Sequence, residues 1–487
     1  MTLCETNINE NKSSTTTNPS SSSSLKWISQ PFFHNSDQGK DTKNCFLCTA
    51  PHSEFKCSWC QSIYYCSKEH YSHHRVNSKC FPFQRVQKGL ETTRNVRKGE
   101  LLFKETSILS SPDLHSLPTC PVCLKRILSE KRSTSCAQGC PLRLCNGPCA
   151  RMTRDHGPEC KILKDNKVKL DFKDYQTPMS INSVITVLRL MESKKKRPSD
   201  WKEFLDPNSI HMEERKKAKG EWEFLQKEVV NYIRNRLFMA SDVGDEELHL
   251  LIGLFVIHST PLGPGGGKAI FPIFSLIEYD CIGNVHFSID ASNACISLKA
   301  SHDIEKGQRM TVNFSPSVLG TLKRRKRLKS LYFFDCTCMR CRDPTELDTY
   351  VSAIICEFCS KGIMLPNAPL NPLSEWSCSD CEFLLSNSDA ERIIDSSEDE
   401  LTEISMMKCC KRLKDYIEHY EGKILHTNHY LLLLAKRNYV LISRKEKISS
   451  LAKSKDPRES KLELPKKKEL YEDFWWIIER LGIQDCF

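Results

Sequence analysis

The chain has 487 residues, of which 39% are hydrophobic and 27% are charged. This composition excludes a disordered or collagen-like chain and allows a sizeable core, spread over about three domains of ~150 residues. The formal net charge of +10 is mild for this length, so an acidic partner is compatible with it but nucleic acid is not required.

Cysteine is the residue type that departs most from ordinary usage, at 26 residues. A secreted protein would use so many in disulfides, but the N-terminus lacks the apolar segment of a secretory signal. The longest apolar run, 250–257, is too short to cross a bilayer, so no membrane partner is expected. Closely spaced cysteines with histidines nearby therefore indicate zinc and a cytoplasmic or nuclear location.

The N-terminal part is predicted to be a disordered tail, 1–40, followed by a first Cys/His cluster, 45–80. The candidate ligands of this cluster are Cys45, Cys48, Cys57, Cys60, Cys66, His70, a further histidine and Cys80. His74 is favoured for the remaining position, and His73 is the alternative. If both were ordinary surface residues, the second site of this finger would be incomplete.

A second Cys/His cluster lies at 120–160, after short predicted strands at 85–110. Its candidate ligands are Cys120, Cys123, Cys136, Cys140, Cys145, Cys149, His156 and Cys160. Because a structural zinc ion takes four tetrahedral cysteine or histidine ligands, this set suits two ions.

The following segments alternate between helical and extended patterns. Apolar residues recur with helical spacing over 180–256, strands are predicted over 270–314, and the last hundred residues are again helical. The basic runs 194–197 and 323–327 are interpreted as solvated faces, so nucleic acid is an unlikely partner, although 194–197 could also serve in nuclear import.

Two further constellations of cysteines complete the pattern. Cys336, Cys338 and Cys341 need a fourth ligand from elsewhere in the fold, because three cysteines cannot close a structural zinc site. The pairs Cys356–Cys359 and Cys378–Cys381 have the spacing of a zinc ribbon. Five cysteines outside every cluster are expected to be plain thiols, namely Cys4, Cys295, Cys409, Cys410 and Cys486.

This order of elements resembles the SET and MYND domain (Smyd) family of protein-lysine methyltransferases over roughly residues 45 to 480. The extra N-terminal finger and the segment 343–347 resemble its arthropod SmydA group. The resemblance implies an α+β multi-domain fold whose parts occupy successive ranges. These are a MYND-type finger at 45–80, a split SET domain at 85–315 with a second MYND-type finger at 120–160 and a helical insert at 180–256, a post-SET zinc site and zinc ribbon at 316–385, and a helical C-terminal domain at 390–487.

The resemblance also implies how the zinc ligands group. In a MYND finger the ligands interleave, so one ion would take Cys120, Cys123, Cys145 and Cys149, and the other Cys136, Cys140, His156 and Cys160. The spacing between Cys136 and Cys140 is one residue longer than in the family. The segment 281–284 resembles the end of the family's Asn-His-x-Cys-x-Pro-Asn motif, with Gly283 in place of proline, which makes Cys281 the fourth post-SET ligand.

The family transfers a methyl group from S-adenosylmethionine to a lysine in an aromatic channel, and several of its motif residues are replaced here. The cofactor-binding Gly-x-Gly stands as Gln87-Lys88-Gly89, and the Asn-His pair stands as Glu278-Tyr279. The catalytic tyrosine is replaced by Phe314, whereas Tyr332 matches the second channel tyrosine. The resemblance thus assigns cofactor binding to Lys88, Gly89, Glu278, Tyr279 and Phe314, and catalysis to Phe314 and Tyr332.

Two functions are compatible with these motifs. One is S-adenosylmethionine-dependent methylation of lysines in histones or other proteins, weakened or abolished by the replacements. The other is a non-catalytic adaptor in transcriptional or signalling regulation, whose MYND fingers bind proline-containing peptides. The replacements favour the adaptor, because removal of one well-placed donor from such a site typically costs about 10²–10³ in rate.

Metal analysis of the purified chain should find about six zinc ions, because the candidate ligands form about six sets of four. Two ions belong to each MYND-type finger, one to the post-SET site and one to the ribbon. Inductively coupled plasma mass spectrometry measures this content, and about four ions or fewer per chain would contradict the ligand assignment. Chelation should also unfold the fingers, since metal binding and folding are coupled in such modules.

Overall fold

The structure is a computed structural model. It describes residues 50–51, 54–56, 64–70, 82–87, 89–114, 116–127, 129–145, 149, 156–170, 180–196, 198–201, 209–239, 242–263, 266–453 and 475–482. The architecture is α+β, with several small sheets and groups of helices in succession. The predicted tail at 1–40 lies outside the described residues. Within the described ranges, no helix combines the length and the apolar character needed to cross a membrane.

A five-stranded sheet forms the centre of the SET-like part, in the order β11-β14-β12-β13-β5. Its strands are β5 (Leu101–Thr106), β11 (Glu278–Tyr279), β12 (Val285–Asp290), β13 (Cys295–Ala300) and β14 (Thr311–Val312). Alternate residues of β13, Ile296, Leu298 and Ala300, are buried, because side chains along a strand point to opposite faces and one face packs on the core.

The short strand β14 pairs in parallel with both β11 and β12, so two distant chain segments meet at this point. Asn284 joins them, since its Nδ2 donates to the carbonyl of Arg309 (2.7 Å) and its Oδ1 accepts from the amide of Thr311 (2.7 Å). Gly283 lies directly on the backbone of residues 311–313, and a Cβ there would come within 2.8 Å of three backbone atoms. The two segments therefore approach at a distance that only glycine allows.

The remaining strands form small antiparallel sheets around this centre. The pairings are β1-β2, β3-β4, β7-β8, β6-β10-β9 and β15-β16-β17-β18. The strands are β1 (Phe55–Lys56), β2 (Tyr64–Tyr65), β3 (Phe83–Arg85), β4 (Leu90–Thr92), β6 (Leu109–Pro112), β7 (Ser133–Ser135), β8 (Arg143–Cys145), β9 (Ser259–Pro261), β10 (Gly267–Ile270), β15 (Ile354–Ile355), β16 (Ile363–Pro366), β17 (Trp376–Cys378) and β18 (Leu384–Leu385).

The described helices follow the second finger, fill the insert and make up the C-terminal part. They are α1 (Pro158–Asp165), α2 (Ser180–Lys196), α3 (Pro198–Trp201), α4 (Met212–Lys217), α5 (Lys219–Leu225), α6 (Asp245–His258), α7 (Thr321–Tyr332), α8 (Met339–Arg342), α9 (Asn387–Met407), α10 (Cys410–Tyr420), α11 (Tyr430–Lys453) and α12 (Trp475–Arg480). Two π-helical segments, Gln226–Val230 and Tyr232–Arg236, continue from α5. Ser386 caps α9 by accepting a hydrogen bond from the amide of Asp389.

The described residues form three large apolar cores and a small fourth cluster, in which Leu328 packs on the post-SET cysteines. The second finger shares one core with the helical insert, which includes Leu142, Leu188 and Phe255. The central sheet has its own core, and the four-stranded ribbon shares a third core with the C-terminal helices. The ribbon is therefore packed on the C-terminal helices and not on the central sheet.

The interpretation of the basic run 323–327 as a solvated face holds only for Lys326 and Arg327, which are exposed, and is wrong for the other three residues. The run lies in α7, where Lys323 forms ion pairs of 2.5 Å with both Asp395 and Glu398 of α9. Arg324 is completely buried. The sequence pattern misled because the acidic face that neutralises the run comes from a helix about 70 positions later in the chain.

Replacement of Gly283 by alanine should destabilise the fold by about 1–3 kcal/mol, because backbone atoms that cannot rotate away would have to move. Chemical denaturation followed by circular dichroism measures the change. Gly220→Ala is the matched control, since a Cβ at this helical glycine meets nothing within 4 Å. That variant should be neutral or more stable by up to about 1 kcal/mol. Equal stabilities of the two variants would contradict the close approach at Gly283.

Candidate functional site

Four groups of metal-ligating side chains converge in the described part of the chain. Within each group, one ligand atom from every residue lies within 4.8 Å of the others. The groups are Cys120, Cys123, Cys145 and Cys149; Cys136, Cys140, His156 and Cys160; Cys281, Cys336, Cys338 and Cys341; and Cys356, Cys359, Cys378 and Cys381. Four-ligand sets of cysteine and histidine fit structural zinc, since such sites are tetrahedral and closed to further ligands.

The second finger has the interleaved order that the resemblance implied. The sulfur of Cys123 lies 3.5 Å from that of Cys145, although Cys136 and Cys140 of the other group stand between them in the sequence. The extra residue between Cys136 and Cys140 is accommodated by a turn in which Gly139 has a φ of +78°. The longer spacing therefore does not keep these two ligands apart.

His156 is oriented by a buried carboxylate that the sequence analysis did not single out. Its Nε2 faces the sulfur of Cys140 at 3.1 Å, and its Nδ1 donates to Glu159 at 3.0 Å. Such a carboxylate fixes the tautomer of a metal-binding histidine and increases its basicity. The sequence did contain a local signal for this contact, because Glu159 follows His156 by about one helical turn.

Arg189 of α2 neutralises this carboxylate and joins three parts of the fold. Its Nη2 and Nε donate to the two carboxylate oxygens of Glu159 at 2.6 and 3.0 Å. It also donates to the carbonyls of Ser110 (2.7 Å) and Pro121 (2.8 Å). Burial acts to raise the pKa of Glu159, but Arg189 and His156 bring it below its usual value. The helical insert, β6 and the finger are therefore held together by one guanidinium.

The post-SET group closes across a long stretch of chain. The sulfur of Cys281, directly after β11, lies 3.7 Å from that of Cys336 and 3.5 Å from that of Cys341. Cys281 and Cys336 are 55 positions apart in sequence. The structure therefore places Cys281, which the resemblance indicated as the fourth ligand, beside the three later cysteines.

Arg324 of α7 lies between this group and a buried glutamate, and the sequence analysis also missed it. Its Nε donates to the sulfur of Cys281 (2.9 Å), and its Nη1 donates to Glu346 (3.1 Å). Arg340 donates to the same carboxylate oxygen at 2.8 Å. Burial acts to raise the pKa of Glu346, but the two guanidinium groups hold it below its usual value. Arg324 thus connects the cysteine group to Glu346, which lies in the segment after α8.

The first finger is described only in part. Cys66 and His70 lie together, with 3.3 Å between Sγ and Nδ1, next to the β1-β2 hairpin. The other expected ligands lie outside the described residues, namely Cys45, Cys48, Cys57, Cys60, His74 with its alternative His73, and Cys80. The number of ions in this finger stays a prediction.

An aromatic cluster lies beside the post-SET group and contains three of the residues expected at the family's site. The ring of Phe314 packs between those of Tyr279 and Tyr332, with centroid distances of 4.7 and 4.9 Å, and Phe334 lies 5.8 Å from Tyr279. Phe314 remains 37% exposed. Burial raises the pKa of both tyrosines, so both phenols are protonated near neutral pH. The hydroxyl of Tyr279 lies 3.5 Å from the sulfur of Cys281.

Two of the five expected cofactor-binding residues, Gly89 and Glu278, lie together away from this cluster. Gly89 has a φ of +82°, and a Cβ there would come within 2.9 Å of Cγ of Glu278. The carboxylate of Glu278 forms a 3.0 Å ion pair with Arg309. Lys88 lies outside the described residues, and Gln87 is exposed. The structure therefore brings Gly89 and Glu278 together, with the Glu278 side chain against the glycine backbone.

A half-buried glutamate on β5, Glu105, positions the turn that leads into β11. Both oxygens of Glu105 accept backbone hydrogen bonds, from Ile273 (2.8 Å) and Phe274 (3.0 Å). Burial raises the pKa of Glu105 to about 8. Glu105 stands between Lys104 and Thr106, so the strand pattern did not single it out, and its partners more than 160 positions away gave no local indication of the contact.

Replacing Glu159 by glutamine should weaken zinc binding at the His156 site about 10–100-fold, because the amide orients the imidazole less strongly than the carboxylate does. Competition with a chromogenic chelator measures the affinity. Glu130→Gln is the matched control, since Glu130 is an exposed residue of the same finger that ligates nothing. Equal rates and extents of zinc release from the two variants would show that Glu159 has no role in the site.

Comparisons with known proteins find relatives along most of the chain, although no protein-family model matches. The SET domain-containing protein SmydA-8, isoform B, of Drosophila melanogaster is 25% identical over 362 residues, which cover 72% of this chain and 77% of that protein. The histone-lysine N-methyltransferase SMYD3 of Homo sapiens is 25% identical over 264 residues, or 52% of this chain and 59% of that protein.

Solved structures add little to the sequence matches. A crystal structure of the SET domain of LSMT bound to lysine and AdoHcy covers 85% of this chain and 86% of that chain, at 11% identity. Its TM-score of 0.31 is too low to carry an argument. The curated sequence matches and the zinc-ligand groups therefore carry the assignment. The chain is accordingly similar to proteins of the SET and MYND domain (Smyd) family, with a resemblance to its arthropod SmydA group.

Proposed function

We propose that this chain is a SET/MYND protein whose lysine methyltransferase activity is weakened or absent, and that it acts as a zinc-stabilised adaptor. The observation that carries the proposal is Phe314, which stands in the aromatic cluster at the position of the family's catalytic tyrosine. The printed name of the human relative SMYD3 makes that protein a histone-lysine methyltransferase. We propose that this chain has lost methylation of lysines in histones or other proteins, or retains it weakly.

The missing oxygen matters because methyl transfer gains most of its rate from positioning and preorganised electrostatics. A tyrosine hydroxyl at position 314 would align the lysine amine, whereas a phenylalanine ring offers only an apolar wall. The hydroxyl of Tyr279 is a poor substitute, because it lies beside the sulfur of Cys281. Loss of the donor alone predicts a rate lower by about 10²–10³.

The residues expected to bind S-adenosylmethionine fit that cofactor poorly. An asparagine at position 278 would offer a donor and an acceptor, but the carboxylate of Glu278 only accepts and repels the carboxylate of the cofactor. The Glu278 side chain, which pairs with Arg309, also lies against the backbone of Gly89. We therefore derive no step of methyl transfer through this cofactor.

The adaptor role is supported by the contrast between the replaced site and the intact zinc scaffold. The described groups in the second finger, the post-SET site and the ribbon each have four ligands, and buried arginines support two of them. We assign binding of proline-containing peptides to the MYND-type fingers, as the resemblance implies, and a role in transcriptional or signalling regulation in the cytoplasm or nucleus. The domain division at 45–80, 85–315, 316–385 and 390–487 is part of this proposal.

Isothermal titration calorimetry with S-adenosylmethionine tests the proposal. We expect no measurable binding at ligand concentrations up to about 1 mM, where a Kd of 1 mM corresponds to only about 4 kcal/mol. Human SMYD3 titrated in parallel is the positive control. Micromolar binding by this chain would contradict the interpretation of Glu278 and Gly89.

Labelling with tritiated S-adenosylmethionine, on histones and on cell lysate, measures the activity itself. Phe314→Tyr alone should recover little, because the cofactor site is independently altered, whereas its combination with Gln87→Gly, Glu278→Asn and Tyr279→His should raise turnover further. Phe238→Tyr, which adds a hydroxyl to an 83% exposed ring, is the control and should change nothing. Robust turnover by the unmodified chain would refute the proposed loss of activity.

A further inference from the structure

The zinc ribbon is the motif that the proposed function leaves without a role. It consists of β15 to β18 and the two Cys-x2-Cys knuckles, and it packs on the C-terminal helices through buried residues such as Trp376. The knuckles face away from that core, because the residues between their cysteines are exposed. A surface on the knuckles is therefore open to a partner.

Two phenylalanines form a stacked pair on the knuckles. Phe358, between the cysteines of the first knuckle, lies parallel to Phe383, just after the second knuckle, with centroids 6.0 Å apart and an interplanar angle of 4°. Phe358 is 77% exposed. A large ring held in a fixed orientation and left in water is an unfavourable arrangement for stability alone, and it presents a π face with negative potential.

Exposed carboxylates lie next to this pair in the sequence. Glu357 and Glu382 are the sequence neighbours of the two phenylalanines, Asp380 lies in the second knuckle, and all three are exposed. None of the three forms an ion pair with another residue in the part of the chain that the structure describes. The ribbon from Ile354 to Leu385 contains a single basic residue, Lys361. Four thiolates around a zinc ion would add further negative charge beneath the rings.

We propose that the two knuckles of the ribbon form a docking surface for an arginine-rich segment of a partner protein. A guanidinium group matches both features, because it stacks on an aromatic face and donates two parallel hydrogen bonds to a carboxylate. An apolar partner would bury the carboxylates without compensation. Nucleic acid would bring phosphates towards the same negative charges. The inference does not depend on methyl transfer.

Fluorescence anisotropy with a fluorescein-labelled peptide of alternating arginine and glycine tests the proposal on the full zinc-loaded chain. We expect saturable binding at low salt that weakens as ionic strength rises. Phe358→Ala should weaken binding at least about three-fold, because one exposed cation–π contact is lost. The double variant Glu357→Lys with Glu382→Lys should weaken it at least about ten-fold, because attraction becomes repulsion.

Matched controls separate the proposed surface from other acidic or apolar regions. Leu373→Ala removes another exposed apolar side chain of the same ribbon (86% exposed) and should leave binding unchanged. Phe358→Trp should keep or strengthen binding, since it preserves an aromatic face. Zinc content and circular dichroism, measured on every variant, establish that the ribbon stays folded. The charged positions ligate nothing, so the double variant keeps the test valid even if Phe358→Ala loses zinc.

Several outcomes would overturn the proposal. They are absence of peptide binding by the unmodified chain, equal affinities for the unmodified chain and the double variant, and tighter binding of single-stranded DNA than of the peptide. Loss of binding with Phe358→Ala but not with charge reversal would also overturn it, because the surface would then recognise an apolar partner. A lysine-glycine peptide should bind more weakly than the arginine peptide, since the ammonium group neither stacks nor pairs in the same planar manner.

Discussion

Negative charge on buried thiolates has to be compensated inside the protein, because a charged group is expensive to remove from water without a partner. In the post-SET group Arg324 supplies part of this compensation beside the metal ion, because it donates to the sulfur of Cys281 and also pairs with Glu346. In the second finger, Arg189 supports Glu159, which in turn orients His156. Both arginines come from helices outside the clusters. The zinc groups therefore determine how the helices, the finger and the central sheet are arranged.

The scaffold and the chemistry are separable at the crossing of β11, β12 and β14. Asn284 and Gly283 hold the two segments together through backbone contacts that need no catalytic group. Phe314 lies two residues after the end of β14, so the crossing fixes where its backbone lies. The loss of a hydroxyl from this side chain removes no contact of the crossing itself. A chain of this type can therefore lose the reaction and still keep the fold.

The zinc ligands of the second finger and the ribbon could be found from sequence because their spacing is local. Cys281 needed the family resemblance, since no local pattern joins it to Cys336. Arg324, Arg189 and Glu105 were not predicted because each contacts residues distant in sequence, and such a contact leaves no periodic signal. The domain boundaries and the ligands of the first finger stay predictions.

The interleaved ligands have a consequence for the order of events on the ribosome. A nascent chain that ends anywhere before Cys149 holds neither site of the second finger complete, and both sites close within the short segment that ends at Cys160. The post-SET group is completed over a longer stretch of synthesis, because Cys281 and the whole central sheet are made before Cys336. Vectorial synthesis therefore leaves Cys281 without its partner cysteines for the time needed to make α7, and only a reducing environment keeps its thiol available for the metal.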